Sequence, residues 1–216
     1  MIVRPPPPAD VTAAFRSTVP LFLAGPNFGP GVNISQQSHL GGIPVVPTLG
    51  GFGAPGPVDH DSQQVFKLGL RDLKAGTGTP AAKSAGWRCF AGTAAANTVL
   101  GYCSLNAANA WELTWVSSGN QASSALQASQ GLDHHAGVPA ATLYELRFLT
   151  IPAILVDAFW LSNMAGGRDL AIVYPAPPGQ LHAQLNARSV YEMPAFLAIA
   201  ATLATTRLNY FDHLGY

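Results

Sequence analysis

The sequence predicts an α+β domain: a mainly antiparallel sheet with about two helices packed on one face, preceded by an extended Pro/Gly-rich N-terminal arm. Three observations predict it. Strand-like segments follow one another through short connections, which favours antiparallel pairing. Helical periodicity takes over in only two long windows of the globular part. Eleven of the 18 prolines fall within residues 1–63.

The arm, residues 1–63, opens with Pro5–Pro8, a short polyproline II rod. A helix is expected over residues 9–17, with Asp10 near its start. Beyond it the composition favours extended, turn-rich backbone, densest in glycine over residues 49–57. The arm is not charged like a disordered tail. Every position from Ser17 to Val58 is uncharged, yet the run carries Leu21, Phe22, Phe28, Val45, Val46 and Phe52. Such a segment gains by lying on an apolar surface, on its own domain or on a neighbouring subunit.

Residues 64–216 read as one globular domain. In residues 66–71, Phe66, Leu68 and Leu70 alternate with Lys67, Gly69 and Arg71, the pattern of a half-buried strand. A loop over 74–86 leads to a second strand over 86–92. Residues 97–105 suit either a strand or a helix. Trp111, Leu113 and Trp115 alternate on one face of the next strand. Ser117 or Ser118 then caps a helix over 120–130, whose stripe is Ala122, Ala125, Leu126 and Ser129 and whose stop is Gly131. Tyr144, Leu146 and Phe148 share one face of the strand over 143–151, which Pro152 breaks. Residues 154–161 are almost entirely apolar, as in a strand covered on both faces. A Gly-containing loop joins it to a strand over 170–174, so the two form a hairpin. Ser189 and Glu192 have the spacing of a capping box for a helix ending near Leu208, which buries Phe196, Ile199, Ala200 and Leu203.

Composition narrows the function classes. Eleven Lys plus Arg against eleven Asp plus Glu leave no net charge, and only 10% of the 216 residues are charged. The basic residues are scattered singly, so there is no electrostatic footprint for nucleic acid or anionic lipid. The longest apolar runs, 151–161 and 193–204, fall short of the roughly 20 residues that a bilayer requires. The opening residues lack the apolar stretch of a secretory signal, so the expected location is the cytoplasm or a protein assembly.

No motif names an activity, a cofactor or a metal. The histidines are His39, His60, His134, His135, His182 and His213, with tight acid clusters at Asp59-His60-Asp61 and Asp133-His134-His135. Both clusters fall in turns, where these residues are common, and adjacent residues in extended chain point apart. Cys89 and Cys103 have apolar neighbours and read as buried thiols, with a single bridge left open. Asp157 stands out as a carboxylate among Leu155, Phe159 and Leu161. It is either a structural charge paired with an arginine such as Arg147 or exposed at a sheet edge, or a pocket carboxyl group. Trp87, Trp111, Trp115 and Trp160 either fill a core or line an apolar pocket.

Three readings of function follow, in this order. The first is a non-enzymatic structural or assembly protein whose arm docks on its own domain or on a neighbouring subunit, with self-association or a larger complex as partner. The second is a binding module for a small apolar ligand. The third is a hydrolytic or metal-dependent enzyme, which requires two or more of His60, His134, His135, Asp133, Asp157 and Cys89 to converge.

Overall fold

The computed structural model describes residues 1–23, 32–33, 61–76, 78–92, 98–174 and 184–213. Most of the expected arm, residues 24–31 and 34–60, lies outside them. The chain divides into two compact units. The first comprises Met1–Val3, Val65–Ala85 and Leu132–Tyr216; the second comprises Arg4–Gln64 and Gly86–Gly131. Strands Gln63–Lys67 (β3) and Lys83–Ala91 (β4) carry residues of both units. The strand pairs are mostly antiparallel and accompanied by helices, an α+β architecture.

In the first unit, strands Tyr144–Ile151 (β7), Val156–Asn163 (β8), Leu170–Val173 (β9) and Val190–Glu192 (β10) form an antiparallel run. Ile2–Val3 (β1) adds to β7 in parallel. Arg147 faces Trp160, which faces Ala171, so these three share one side of the sheet; Phe148, Phe159 and Ile172 share the other. Helices Leu70–Lys74 (α2) and Met193–His213 (α4) cover the Trp160 side. Their core unites Leu68, Leu73, Phe196, Ala200 and Ala204 with Leu149, Ile151, Ala158, Trp160 and Val173. On the other side Phe148, Phe159 and Tyr174 meet edge to face, with centroids 5.4–5.9 Å apart. Burial on both faces explains why β8 reads as a nearly unbroken apolar run.

In the second unit, β4 pairs with Val99–Leu105 (β5), which pairs with Trp111–Ser118 (β6). The two-residue strand Val32–Asn33 (β2) pairs with β6. Helix Ala9–Leu23 (α1) brings Val11, Phe15 and Val19, spaced four apart, onto Trp87, Cys89, Val99, Cys103, Leu113 and Val116. Phe15 packs where Gly101 has no side chain: a Cβ there would stand 2.5 Å from the Phe15 ring and 2.6 Å from Leu113. Helix Asn120–Gln130 (α3) buries Ala122, Ala125, Leu126 and Ser129, the stripe that the sequence predicts.

Several local expectations give way to tertiary structure. The described residues hold four α-helices rather than about two. Helix α1 runs past Ser17 and through Pro20 because Val19 is fully buried on its inner face. The alternation expected over 66–71 ends at Lys67; the chain turns helical after Gly69, and Leu73 joins Leu68 in the core. The ambiguous segment 97–105 is a strand. Strand β6 keeps its alternation only to Leu113. A bulge skips Thr114, setting Leu113 opposite Cys103 and Trp115 opposite Tyr102, so Leu113 and Val116 both reach the core.

Neither expected serine caps α3. Strand β6 runs through Ser118, and Gly119 turns the chain at φ +66°, a left-handed conformation that glycine adopts without penalty. The capping box of Ser189 and Glu192 does not form either. Residues 190–192 pair with β9, and the first residue of α4 is held instead by Met193 N–H donating to the Asp169 carbonyl at 2.9 Å. The 154–161 strand begins only at Val156, because residues 152–154 form a 3₁₀ turn and Leu155 is left-handed at φ +54°.

The Gly101 notch yields a direct test. Gly101→Ala should cost about 1–3 kcal/mol by overpacking, read as a lower urea midpoint. Adding Phe15→Leu should recover part of that loss. An unchanged midpoint in Gly101→Ala would mean that α1 does not seat on β5 as described.

Candidate functional site

Among the described residues, the sequence-expected site residues do not assemble into one centre. Asp59 and His60 lie outside the described residues, as do His39 and His182. Asp61 is structural: its carboxylate lies 2.9 Å from the Arg4 guanidinium and accepts from Gln130 Nε2 at 2.9 Å. Both members of the Arg4–Asp61 pair are nearly buried, and Arg4 also donates to the Ser129 carbonyl at 2.9 Å. Asp133 and His134 are exposed in a 3₁₀ turn. His135 is occupied by backbone: its Nδ1 accepts from Gly137 N–H at 3.2 Å, so Nε2 donates to the Arg188 carbonyl at 2.8 Å. Among the described residues no three His, Cys, Asp or Glu side chains gather as metal ligands.

Asp157 sits on the Phe159 side of β8, whereas Arg147 points to the Trp160 side. The Arg147–Asp157 pair considered from sequence is therefore replaced. Arg147 donates to Glu145 at 2.8 Å and lies over the rings of Trp160 and Phe66, 4.8 and 5.2 Å from their centroids. Leu155, expected beside Asp157, has left the strand.

Cys89 and Cys103 are free, fully buried thiols on neighbouring strands. They occupy diagonal positions, Cys89 opposite Gly101 and Cys103 opposite Trp87. A hydrogen bond to Cys89 pushes the Cys103 thiol far above its ordinary ionisation range, and burial adds to this. A thiol held protonated is a poor nucleophile.

The feature with the form of a ligand site lies in the first unit. A cleft of about 560 Å³ opens between three segments, within the usual range of small-molecule sites. Leu68 and Leu73 with Gly76, Gly78, Thr79 and Pro80 make one wall; Gly167, Arg168 and Asp169 of the β8–β9 loop make the second. The third is the start of α4, with Met193, Pro194, Leu197, Ala198 and Ala201 on one helical face. None of the four tryptophans lines it, so the tryptophan-lined pocket considered from sequence is not this one.

Asp169 fixes the geometry. One carboxylate oxygen accepts from Trp160 Nε1–H and the other from Asn163 N–H, each at 2.8 Å, while its carbonyl takes Met193 N–H. The loop wall and the helix wall thus share one anchor. Arg168 extends into solvent, 77% exposed, and NH1 donates to the Glu192 carboxylate. Among the described residues the charged wall residues are Arg168 and Asp169, and no cysteine, histidine or serine lines the cleft. Sequence reasoning passed over Arg168 and Asp169; their only mark is a pair of charges between Gly166-Gly167 and an apolar strand.

Two outcomes follow. Asp169→Ala strands the buried Trp160 N–H, which should cost about 1–3 kcal/mol and speed exchange of that indole proton by NMR. For Cys103, the unfolded chain ionises near 9.0 while the folded thiol stays protonated. Above pH 9 the unfolded state therefore binds fewer protons, and stability should fall with rising pH, by at most about 1.4 kcal/mol per unit. Tyr102, raised chiefly by burial, adds to the slope only above its ordinary 10.0. Denaturation at pH 8, 9 and 10 should show the decline in the wild type and a flatter profile in Cys103→Ala.

Comparison of the chain with protein-family models, with curated proteins and with solved structures finds no match to any of them.

Proposed function

We propose that the protein is a non-enzymatic binding module that takes a small, mostly apolar molecule in the cleft between α2, the β8–β9 loop and α4. The observation that carries this reading is the chemistry of the wall. Leu68, Leu73 and Met193 are buried, Pro80, Leu197, Ala198 and Ala201 continue the apolar surface, and among the described residues polar side chains stand only at Thr79, Arg168 and Asp169. Apolar walls with a few fixed polar groups are how proteins hold small ligands. Catalysis would need a nucleophile or a general base at the wall, and the carboxylate there is bound to Trp160 and Asn163.

A second reading, docking of the N-terminal segment, is supported by separate observations. Val32 and Asn33 pair with Val116 and Trp115 on β6, and the uncharged run from Ser17 to Val58 surrounds them in sequence. On this reading the arm serves assembly, on its own domain or on a neighbouring copy. Its test leaves α1 intact, because Val11, Phe15 and Val19 belong to a core. Native mass of a Val45→Asp, Val46→Asp, Phe52→Asp variant should fall if the arm joins subunits; an unchanged oligomer would remove intersubunit docking.

For the cleft, titration of ¹⁵N-labelled protein with octan-1-ol should shift the amides of Gly76, Gly78, Gly167 and Leu197. Leu197→Trp should fill the space and abolish those shifts. Shifts spread evenly over the molecule, or unaffected by Leu197→Trp, would sink the binding reading.

A further inference from the structure

We propose that the ligand of this cleft is an amphiphilic monocarboxylic acid, its hydrocarbon body between α2 and α4 and its carboxylate on the Arg168 guanidinium. This inference rests on the binding reading above and names the ligand class of the same site.

The argument runs through the hydrogen-bonding inventory of the wall. Asp169 is a charged acceptor, but both of its oxygens already take donors at 2.8 Å, from the Trp160 indole and the Asn163 amide. Those two bonds hold the carboxylate to the β8 side, where it serves the wall itself. Arg168 is the opposite case. A guanidinium has five N–H donors and no acceptor, and the partner of Arg168 among the described residues is Glu192, through NH1. The edge formed by Nε and NH2 is left for a second carboxylate, which a guanidinium fork receives with two parallel hydrogen bonds.

The existing pair offers little resistance. Arg168 is 77% and Glu192 51% exposed, and ion pairs between solvated groups contribute about 0–1 kcal/mol at most. Glu192 does not line the cleft, whereas Arg168 does. A ligand acid can therefore share the guanidinium without displacing Glu192. The rest of the wall sets the other half of the ligand. Leu73, Met193 and Leu197 offer no hydrogen bonds, so a body with further polar groups would lose solvation without return. Gly76, Gly78 and Gly167 let backbone approach closely, which favours an unbranched or flat body.

The test compares octanoate, octan-1-ol and octylammonium by calorimetry with the wild type and with Arg168→Gln and Glu192→Gln. Both substituted residues are exposed, so the variants keep the fold. Octanoate should bind about two- to fivefold more tightly than octan-1-ol, the preference shrinking as salt is raised. Arg168→Gln should bring the acid down to the alcohol and leave the alcohol unchanged. Glu192→Gln, which removes the competing carboxylate, should strengthen octanoate further. Equal binding of acid and alcohol, tighter binding of octylammonium, or an Arg168→Gln variant with undiminished acid preference overturns the proposal. In those cases octan-1-ol binding that Leu197→Trp abolishes still preserves the cleft as a binding site. Absence of binding by all three overturns both.

Discussion

One half-buried carboxylate, that of Asp169, organises the walls of the cleft in the first unit. Asp169 makes three bonds that tie its loop to two other stretches of chain: its carboxylate takes the Trp160 ring from mid-strand β8 and the Asn163 amide at the end of that strand, and its carbonyl takes the first amide of α4. Each bond satisfies a donor that folding would otherwise strand, the indole being only 4% exposed. The consequence is geometric. Loop and helix cannot move apart without losing a bond at this residue, so two walls of the cleft are set by Asp169, through its side chain on β8 and its backbone carbonyl on α4. Trp160 is in turn pinned from its ring face by Arg147, itself held by Glu145. The cleft is thus rigid on the side where its charge stands.

The N-terminal segment shows a second dependence. Read by composition, residues 1–63 look like an accessory; in the structure their described part supplies interior. Ile2 is buried beside β7, and Val11, Phe15 and Val19 are fully buried in the second unit. The Phe15 ring reaches β5 only because Gly101 leaves room. A helix whose apolar residues recur every four positions needs a partner surface to be stable at this length. Here the β4–β5–β6 sheet provides it. Ile2, Val11, Phe15 and Val19 are thus part of the folded interior.

The sequence was most legible where one pattern served one environment. Helix α3 lies on the expected residues with the expected stripe, because Ala122, Ala125, Leu126 and Ser129 satisfy no other periodicity. Strand β7 and the β8–β9 hairpin were legible for the same reason. Elsewhere the residues satisfied two patterns and tertiary contacts chose. Leu68, Leu70 and Leu73 fit alternation as well as a helical turn, and burial of Leu73 selected the helix. Ser189 and Glu192 have capping-box spacing, but an open strand edge beside β9 claimed the backbone first. The Thr114 bulge leaves no mark in residue type at all. The cleft was illegible for a different reason. Its walls come from three segments, residues 68–80, 167–169 and 193–201, and each contributes mostly ordinary apolar and small residues. Asp157 is an anomaly legible within one strand, whereas Asp169 is anomalous only in three dimensions.

Sparse charge turns that observation into an argument about function. With 10% of residues charged, few are needed merely to solvate a surface, and where they stand is correspondingly informative. Arg4–Asp61 is nearly buried and ties residues 4, 61, 129 and 130 together. Breaking such a pair strands a charge away from water, so it is accounted for by structure. Arg147 is accounted for similarly, by Glu145 and two aromatic faces. Arg168–Glu192 differs from both: it is well exposed, and an exposed pair adds little to stability. Folding does not explain why a guanidinium stands at that point. On the proposed binding reading, its place on the rim of an apolar cleft, beside the carboxylate that fixes the wall, does.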